Sequence, residues 1–112
     1  MDEAGQVIKA KYAVATDGAT TKQGGAVTAG TSGAQLEGRN VARVGDEVTY
    51  PDGSKAWITM GCWRVQLSGR PIAVVGSRLS NGDFISSSPS NRAEIVEYEG
   101  SEPLFAEYPV PA

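Results

Sequence analysis

Apolar residues in this chain come in short alternating bursts fenced by glycine, not in helical stripes. Val65 and Leu67 alternate with Arg64, Gln66 and Ser68, the period of a strand with one face buried. The stretches AVTAGTSGAQLEG and AWITMGCWRVQLSG have the same texture, with brief runs set between glycines. Glycine or proline interrupts nearly every ten-residue window before Asn91, and each such residue weakens a helix interior. Residues 91–98, NRAEIVEY, fit a helical turn as well as a strand.

The bursts recur in order. GRNVARVGD at 38–46 returns thirty-one positions later as GRPIAVVGS at 69–77. Val41-Ala42 thus pairs with Ile72-Ala73, Val44 with Val75 and Gly45 with Gly76. A weaker copy lies upstream in AVATDGA, where Val14-Ala15 and Gly18 take the same places. After each phrase comes an aliphatic residue and then a small one: Val27 with Gly30, Ile58 with Gly61, Ile85 with Ser88. From phrase glycine to aliphatic is nine residues, then thirteen, then nine; from aliphatic to the next phrase glycine is eighteen both times. One half of the unit therefore has fixed length, and the other is a loop with four extra residues in the middle copy. Paired strands must keep register while loops vary, so the spacing predicts a repeated supersecondary unit. In the third copy the place of IVEY, residues 95–98, belongs to a strand. The expectation is an all-β domain of short strands and glycine-rich loops with approximate three-fold internal symmetry.

Composition narrows the reading. A chain of 112 residues suits one domain, and 40 % hydrophobic with 21 % charged residues suits a soluble globular one. Fourteen glycines and six prolines favour turn-rich β structure. A net charge of −3 without a basic run sets nucleic acid aside as a partner. No stretch approaches the roughly 20 apolar residues that span a bilayer. The opening MDEAGQVIKAKYAV is acidic where a secretion leader carries positive charge, so synthesis in the cytoplasm and export by another route are expected. Cys62 is the single cysteine and allows no internal disulfide, and histidine is absent.

These phrases resemble the PAAR-repeat proteins, the sharpened spike tips of type VI secretion systems and related contractile injection machines. The Pro-Ala-Ala-Arg motif of that family sits within phrases similar to GRNVARVGD and GRPIAVVGS. GATTKQGGAV is similar to the family's Gly-Asp-x-Thr-x-His-Gly-Gly-x-Val opening. The likeness covers residues 12–100. It implies a small cone whose broad base docks on the blunt end of a trimeric β-helical spike protein, VgrG or its phage-tail counterpart. One copy per trimer is implied, the isolated chain being a monomer and its contact with a target membrane transient. A three-fold β-helix ends in three exposed strand edges, and a monomer with three similar strands can pair with all of them. The strands assigned to the base lie near Ala34 and Leu36, Val65 and Leu67, and Ile95 and Val96. Alternation at these positions shows burial but not against what.

The likeness also implies an apex metal, commonly zinc held by three histidines and a cysteine, which this chain cannot assemble. The residues matching those ligand loops are Gln23, then Tyr50 and Asp52, then Asn81 and Asp83. Oxygen donors of this kind suit hard cations better than zinc, which favours imidazole and thiolate. Cys62 falls elsewhere and reads as a small buried hydrophobe. The expectation is no cofactor and an apex tied by hydrogen bonds among Gln23, Tyr50 and Asn81.

No enzyme reading emerges. Lacking histidine, the chain cannot build Ser-His-Asp or Cys-His constellations. Asp46 and Glu47 are neighbours that face opposite ways in a strand, and no Gly-Lys-Ser/Thr follows the glycines. A structural spike tip, with effector or adaptor proteins as further partners, is the leading function. The alternatives are a stand-alone β-rich binding module and a phage tail tip without a secretion role. Residues 1–100 form the tip domain on this reading. Residues 101–112, SEPLFAEYPVPA, form an extended tail whose Leu104, Phe105 and Tyr108 either anchor it along the cone or engage cargo.

Overall fold

A computed structural model describes residues 7–90, 92–100 and 104–107. Its centre is a ring of three backbone hydrogen bonds. The Ala15 N–H donates to the Ala73 carbonyl, Ala73 N–H to Ala42 and Ala42 N–H back to Ala15, each at 2.9 Å. A second turn of the same pattern runs from Asp17 to Asn40, Val44 to Pro71 and Val75 to Ala13, again at 2.9 Å. The three copied phrases thus cross one another about a common axis. The three ring alanines are fully buried, because three strands meeting at one axis leave room for methyl groups only.

Each phrase turns at its glycine, and the chain then leaves the ring as a hairpin and returns. In chain order the strands are β1 (Ile8–Ala13), β2 (Thr20–Thr21), β3 (Ala26–Ala29), β4 (Gln35–Leu36), β5 (Arg39–Asn40) and β6 (Glu47–Thr49). They continue as β7 (Lys55–Trp57), β8 (Met60–Leu67), β9 (Arg70–Ile72), β10 (Ile85–Ser87), β11 (Glu94–Tyr98) and β12 (Phe105–Glu107). No helix occurs among the described residues. Strand β11 occupies residues 94–98, so IVEY is β as its place in the repeat requires.

The three outgoing hairpins close alike. The Gly18 N–H bonds to the Val27 carbonyl, Gly45 to Ile58 and Gly76 to Ile85, at 2.7–2.9 Å. Their tips are the five-residue turns 21–25, 50–54 and 79–83, each closed by the same two backbone bonds. The four extra residues of the middle copy therefore lengthen the arms of its hairpin, β6 and β7, and leave the turn unchanged. Strands from these hairpins form one sheet in the order β10-β2-β3-β6-β7. Val27, Val48, Ile58, Leu79 and Ile85 fill the core between them.

On the other side of the ring lie three two-stranded ribbons. Two are hairpins, β4–β5 and β8–β9, turning through Glu37-Gly38 and Ser68-Gly69. Both residues of each turn have positive φ, 53° and 79° in one, 52° and 80° in the other, as a type I′ turn requires. The third ribbon pairs β1 with β11 and so joins the two ends of the domain. A second apolar cluster, Val14, Val41, Cys62, Ile72 and Leu104, fills this half. Cys62 is the small buried hydrophobe anticipated from its position.

Leu104 comes from the tail. Strand β12 pairs antiparallel with β8, setting Phe105 opposite Cys62 and Glu107 opposite Met60, and Leu104 is 1 % exposed. Phe105 meets Tyr12 edge to face at 4.7 Å between centroids. This stretch is an anchored strap; Tyr108 lies outside the described residues. Leu104→Ala is expected to lower stability by about 2–5 kcal/mol in urea unfolding, the usual cost of emptying a buried leucine site. An unchanged midpoint would mean the strap contributes nothing. Ala42→Leu in the ring is expected to cost about 1–3 kcal/mol by overpacking, measured the same way.

Candidate functional site

Two ends of the axis hold the residues singled out in the sequence. At the base, Leu36, Leu67 and Ile95 occupy equivalent positions. Leu36 pairs with Arg39, Leu67 with Arg70 and Ile95 with Tyr12, and all three side chains pack partly buried against the lower cluster. Ala34 and Ala93 are likewise equivalent: their carbonyls accept the N–H groups of Val41 and Val14, at 2.8 and 3.0 Å. Val96 sits one residue on, opposite Lys11, and is half-buried.

Val65 departs from the alternation. Between Cys62, opposite Ile72, and Gln66, opposite Pro71, strand β8 spends four steps against one on β9. Residues 63–65 therefore bulge out of the ladder, and Trp63 and Val65 are exposed at 37 % and 39 %. Arg64 stacks its guanidinium over the Trp63 ring at 5.6 Å. The base thus carries apolar surface that a strict period of two would have buried.

At the apex, the first, third and fifth turn positions are Thr21, Gln23 and Gly25 in the first loop. They are Tyr50, Asp52 and Ser54 in the second, and Leu79, Asn81 and Asp83 in the third. Four of the five residues singled out there converge. Asp83, 1 % exposed, is the hub. Its Oδ2 accepts the Tyr50 hydroxyl at 2.6 Å, and its Oδ1 accepts the backbone N–H groups of Phe84 at 2.8 Å and Gln23 at 3.2 Å. The Asn81 side-chain amide donates to the Tyr50 oxygen at 3.0 Å, and Asn81 Oδ1 accepts the Asp83 N–H at 3.1 Å. Tyr50 reaches this hub because its hairpin is the lengthened one.

The electrostatics follow from that wiring. Burial pushes the Asp83 carboxyl up, but hydrogen bonds from Thr21, Tyr50, Phe84 and Gln23 outweigh it and hold it below the usual aspartate value. Burial, then the hydrogen bond to Asp83, raises the Tyr50 phenol above its ordinary value. Asp52 stands apart. It is exposed and accepts the N–H and hydroxyl of Ser54 at 2.9 and 2.6 Å, bonds that lower its pKa. The hydrogen-bonded apex foreseen among Gln23, Tyr50 and Asn81 is thus present but centred on Asp83, with Gln23 contributing its backbone. Thr21 was not singled out, although it holds the same turn position as Tyr50.

A second polar knot was also missed. Arg43 is 4 % exposed and donates to the Leu67 carbonyl at 2.8 Å and to the Thr31 carbonyl and hydroxyl at 2.9 and 2.8 Å. The Thr31 hydroxyl in turn donates a hydrogen bond to Asp46 Oδ1 at 2.7 Å, and Asp46 Oδ2 accepts the Arg43 backbone N–H at 2.8 Å. Two buried opposite charges are bridged through one threonine, locking the β8–β9 turn to the middle phrase. The nearby cleft is lined by Thr31, Gly45, Asp46, Glu47, Trp57 and Arg70.

A profile of the PAAR motif matches residues 17–87, well over half of the chain and inclusive of all three apex loops. The chain belongs to the PAAR-motif family. None of the curated proteins compared matches it. The PAAR motif is borne by small all-β spike-tip proteins of type VI secretion and phage-like systems, structural and not enzymatic in kind.

The apex of this PAAR chain does not fit the zinc site that the family implies. Its converging donors are oxygens only, one carboxylate among them, and both oxygens of that carboxylate already accept hydrogen bonds, from Tyr50, Phe84 and Gln23. One carboxylate engaged at both oxygens falls short of the four good ligands, imidazole and thiolate above all, that a closed zinc site needs. The family's thiolate has no counterpart either, since Cys62 is buried in the opposite half. The expected outcome is that a strong chelator leaves the melting temperature unchanged and elemental analysis finds no stoichiometric transition metal. About one tightly held metal per chain would contradict the geometry.

Proposed function

We propose that this chain caps the blunt end of a trimeric, VgrG-like β-helical spike, one copy per trimer, and sharpens it for puncture. The observation that carries the reading is the trio of ribbons on one side of the ring, with Leu36, Leu67 and Ile95 in equivalent places. A single chain with three-fold backbone geometry meets a three-fold partner without mismatch, and each ribbon edge can extend one of the partner's strands. Synthesis in the cytoplasm and export with the assembled spike follow from that role. Effector or adaptor proteins are further partners in the same scheme.

Mixing the chain with a truncated trimeric spike is expected to give one chain per trimer in analytical ultracentrifugation. Absence of a complex, or three chains per trimer, would point to a free-standing binding module instead. Val65→Glu is expected to leave the melting temperature close to wild type, because the side chain is exposed, while weakening capture by at least about tenfold, or ~1.4 kcal/mol. Equal affinity for this variant would remove the β8 bulge from the interface.

A further inference from the structure

We propose that the apex is closed by one ionised carboxylate, that of Asp83, in the place where the family's metal would gather the three loops. Asp83 is the point at which the loops meet. The first loop contributes the Gln23 N–H, the second the Tyr50 hydroxyl, and the third the Phe84 N–H. Every one of these groups acts as a donor toward it. A metal ion collects ligand lone pairs around a positive centre; here a negative centre collects N–H and O–H groups, with the polarity inverted.

The alternatives to an ionised Asp83 fail on the same geometry. A neutral carboxylic acid carries its own proton, and both oxygens already face N–H or O–H donors, so that proton would compete with one of them for a place. No lysine or arginine of the described residues forms an ion pair with Asp83. Among the described residues the titratable side chain that bonds to it is Tyr50, whose hydroxyl is the donor. From the same loops, Asp52 is held by Ser54, and Lys22 is exposed. Charge-assisted bonds of this kind are shorter and stronger than neutral ones, as the 2.6 Å contact to Tyr50 illustrates.

Apex cohesion then depends on acid rather than on chelation. The carboxyl of Asp83 titrates lower in the fold than in the unfolded chain. Its contribution is therefore complete above the unfolded aspartate value, about 3.9, and is lost as pH falls through the lower folded value. Thermal unfolding between pH 7 and pH 2 for wild type, Asp83→Asn and Tyr50→Phe separates this term from other carboxylates. Asp83→Asn is expected to melt roughly 5 °C or more lower at pH 7, because its amide turns donors toward donors. The wild-type advantage is expected to shrink below pH 4. Tyr50→Phe keeps the carboxylate but removes a donor, so its acid limb is expected to move to higher pH. Parallel pH curves for wild type and Asp83→Asn would overturn the proposal. So would an Asp83 carboxyl carbon titrating at or above the ordinary aspartate range by nuclear magnetic resonance. If Asp83→Asn fails to fold, the Tyr50→Phe limb and the carbon titration decide on their own.

Discussion

Three amide hydrogen bonds among Ala15, Ala42 and Ala73 set the terms for everything else in this molecule. A cyclic arrangement of donors and acceptors closes only if all three phrases adopt the same backbone path. It also demands small side chains, since nothing larger than methyl fits where three strands converge. From that ring the chain can leave in two directions. One direction yields the three hairpins and the upper core, the other the three ribbons and the lower core. Length differences are tolerated far from the ring and nowhere near it. The middle hairpin can therefore grow by two residues on each arm while the eighteen-residue interval stays fixed.

The two ends answer different physical demands. The ribbons leave strand edges and the Trp63-Arg64-Val65 bulge facing outward, a surface that is costly for a free monomer and useful to a docked one. At the apex the problem is cohesion, because three short turns offer little apolar area to bury. Buried polar groups hold there only when every partner is satisfied, which is the condition that Asp83 and its donors meet. A second buried polar knot lies midway, where Thr31 mediates between Arg43 and Asp46 while the Arg43 Nε finds no partner among the described residues.

Much of this was legible before any coordinates, and the reason is the repeat. Spacing of Gly18, Gly45 and Gly76 against Val27, Ile58 and Ile85 reports strand register directly, so the three-fold β architecture and the strand at IVEY could be read from it. The bulge at residues 63–65 could not, because Val65 and Leu67 keep a period of two in the sequence whichever way the backbone loops. The apex was half legible. Comparing loops by family ligand positions pointed to Gln23, Tyr50, Asp52, Asn81 and Asp83, but not to Asp83 as the hub or to Asp52 as the one that stands apart. Tyr50 is joined to Asp83 by reach across the axis, which no local pattern encodes. The tail was left between strap and cargo arm, and Leu104 became decisive only once the cleft beneath β12 was formed by residues far away in sequence.

The ribbon between β1 and β11 has a consequence for how the chain comes to be folded at all. Two of the three ribbons are hairpins and can form as soon as their turns exist. The third unites residues 8–13 with 94–98, and its Tyr12–Glu97 bond spans 85 positions. Closing so long a loop is entropically slow, and such non-local contacts lengthen folding times. On the ribosome β1 must therefore wait, unpaired, until nearly the whole chain has emerged. The ring itself needs only the chain as far as the third phrase, so the ribbon, not the ring, is the late contact that ties the two ends together.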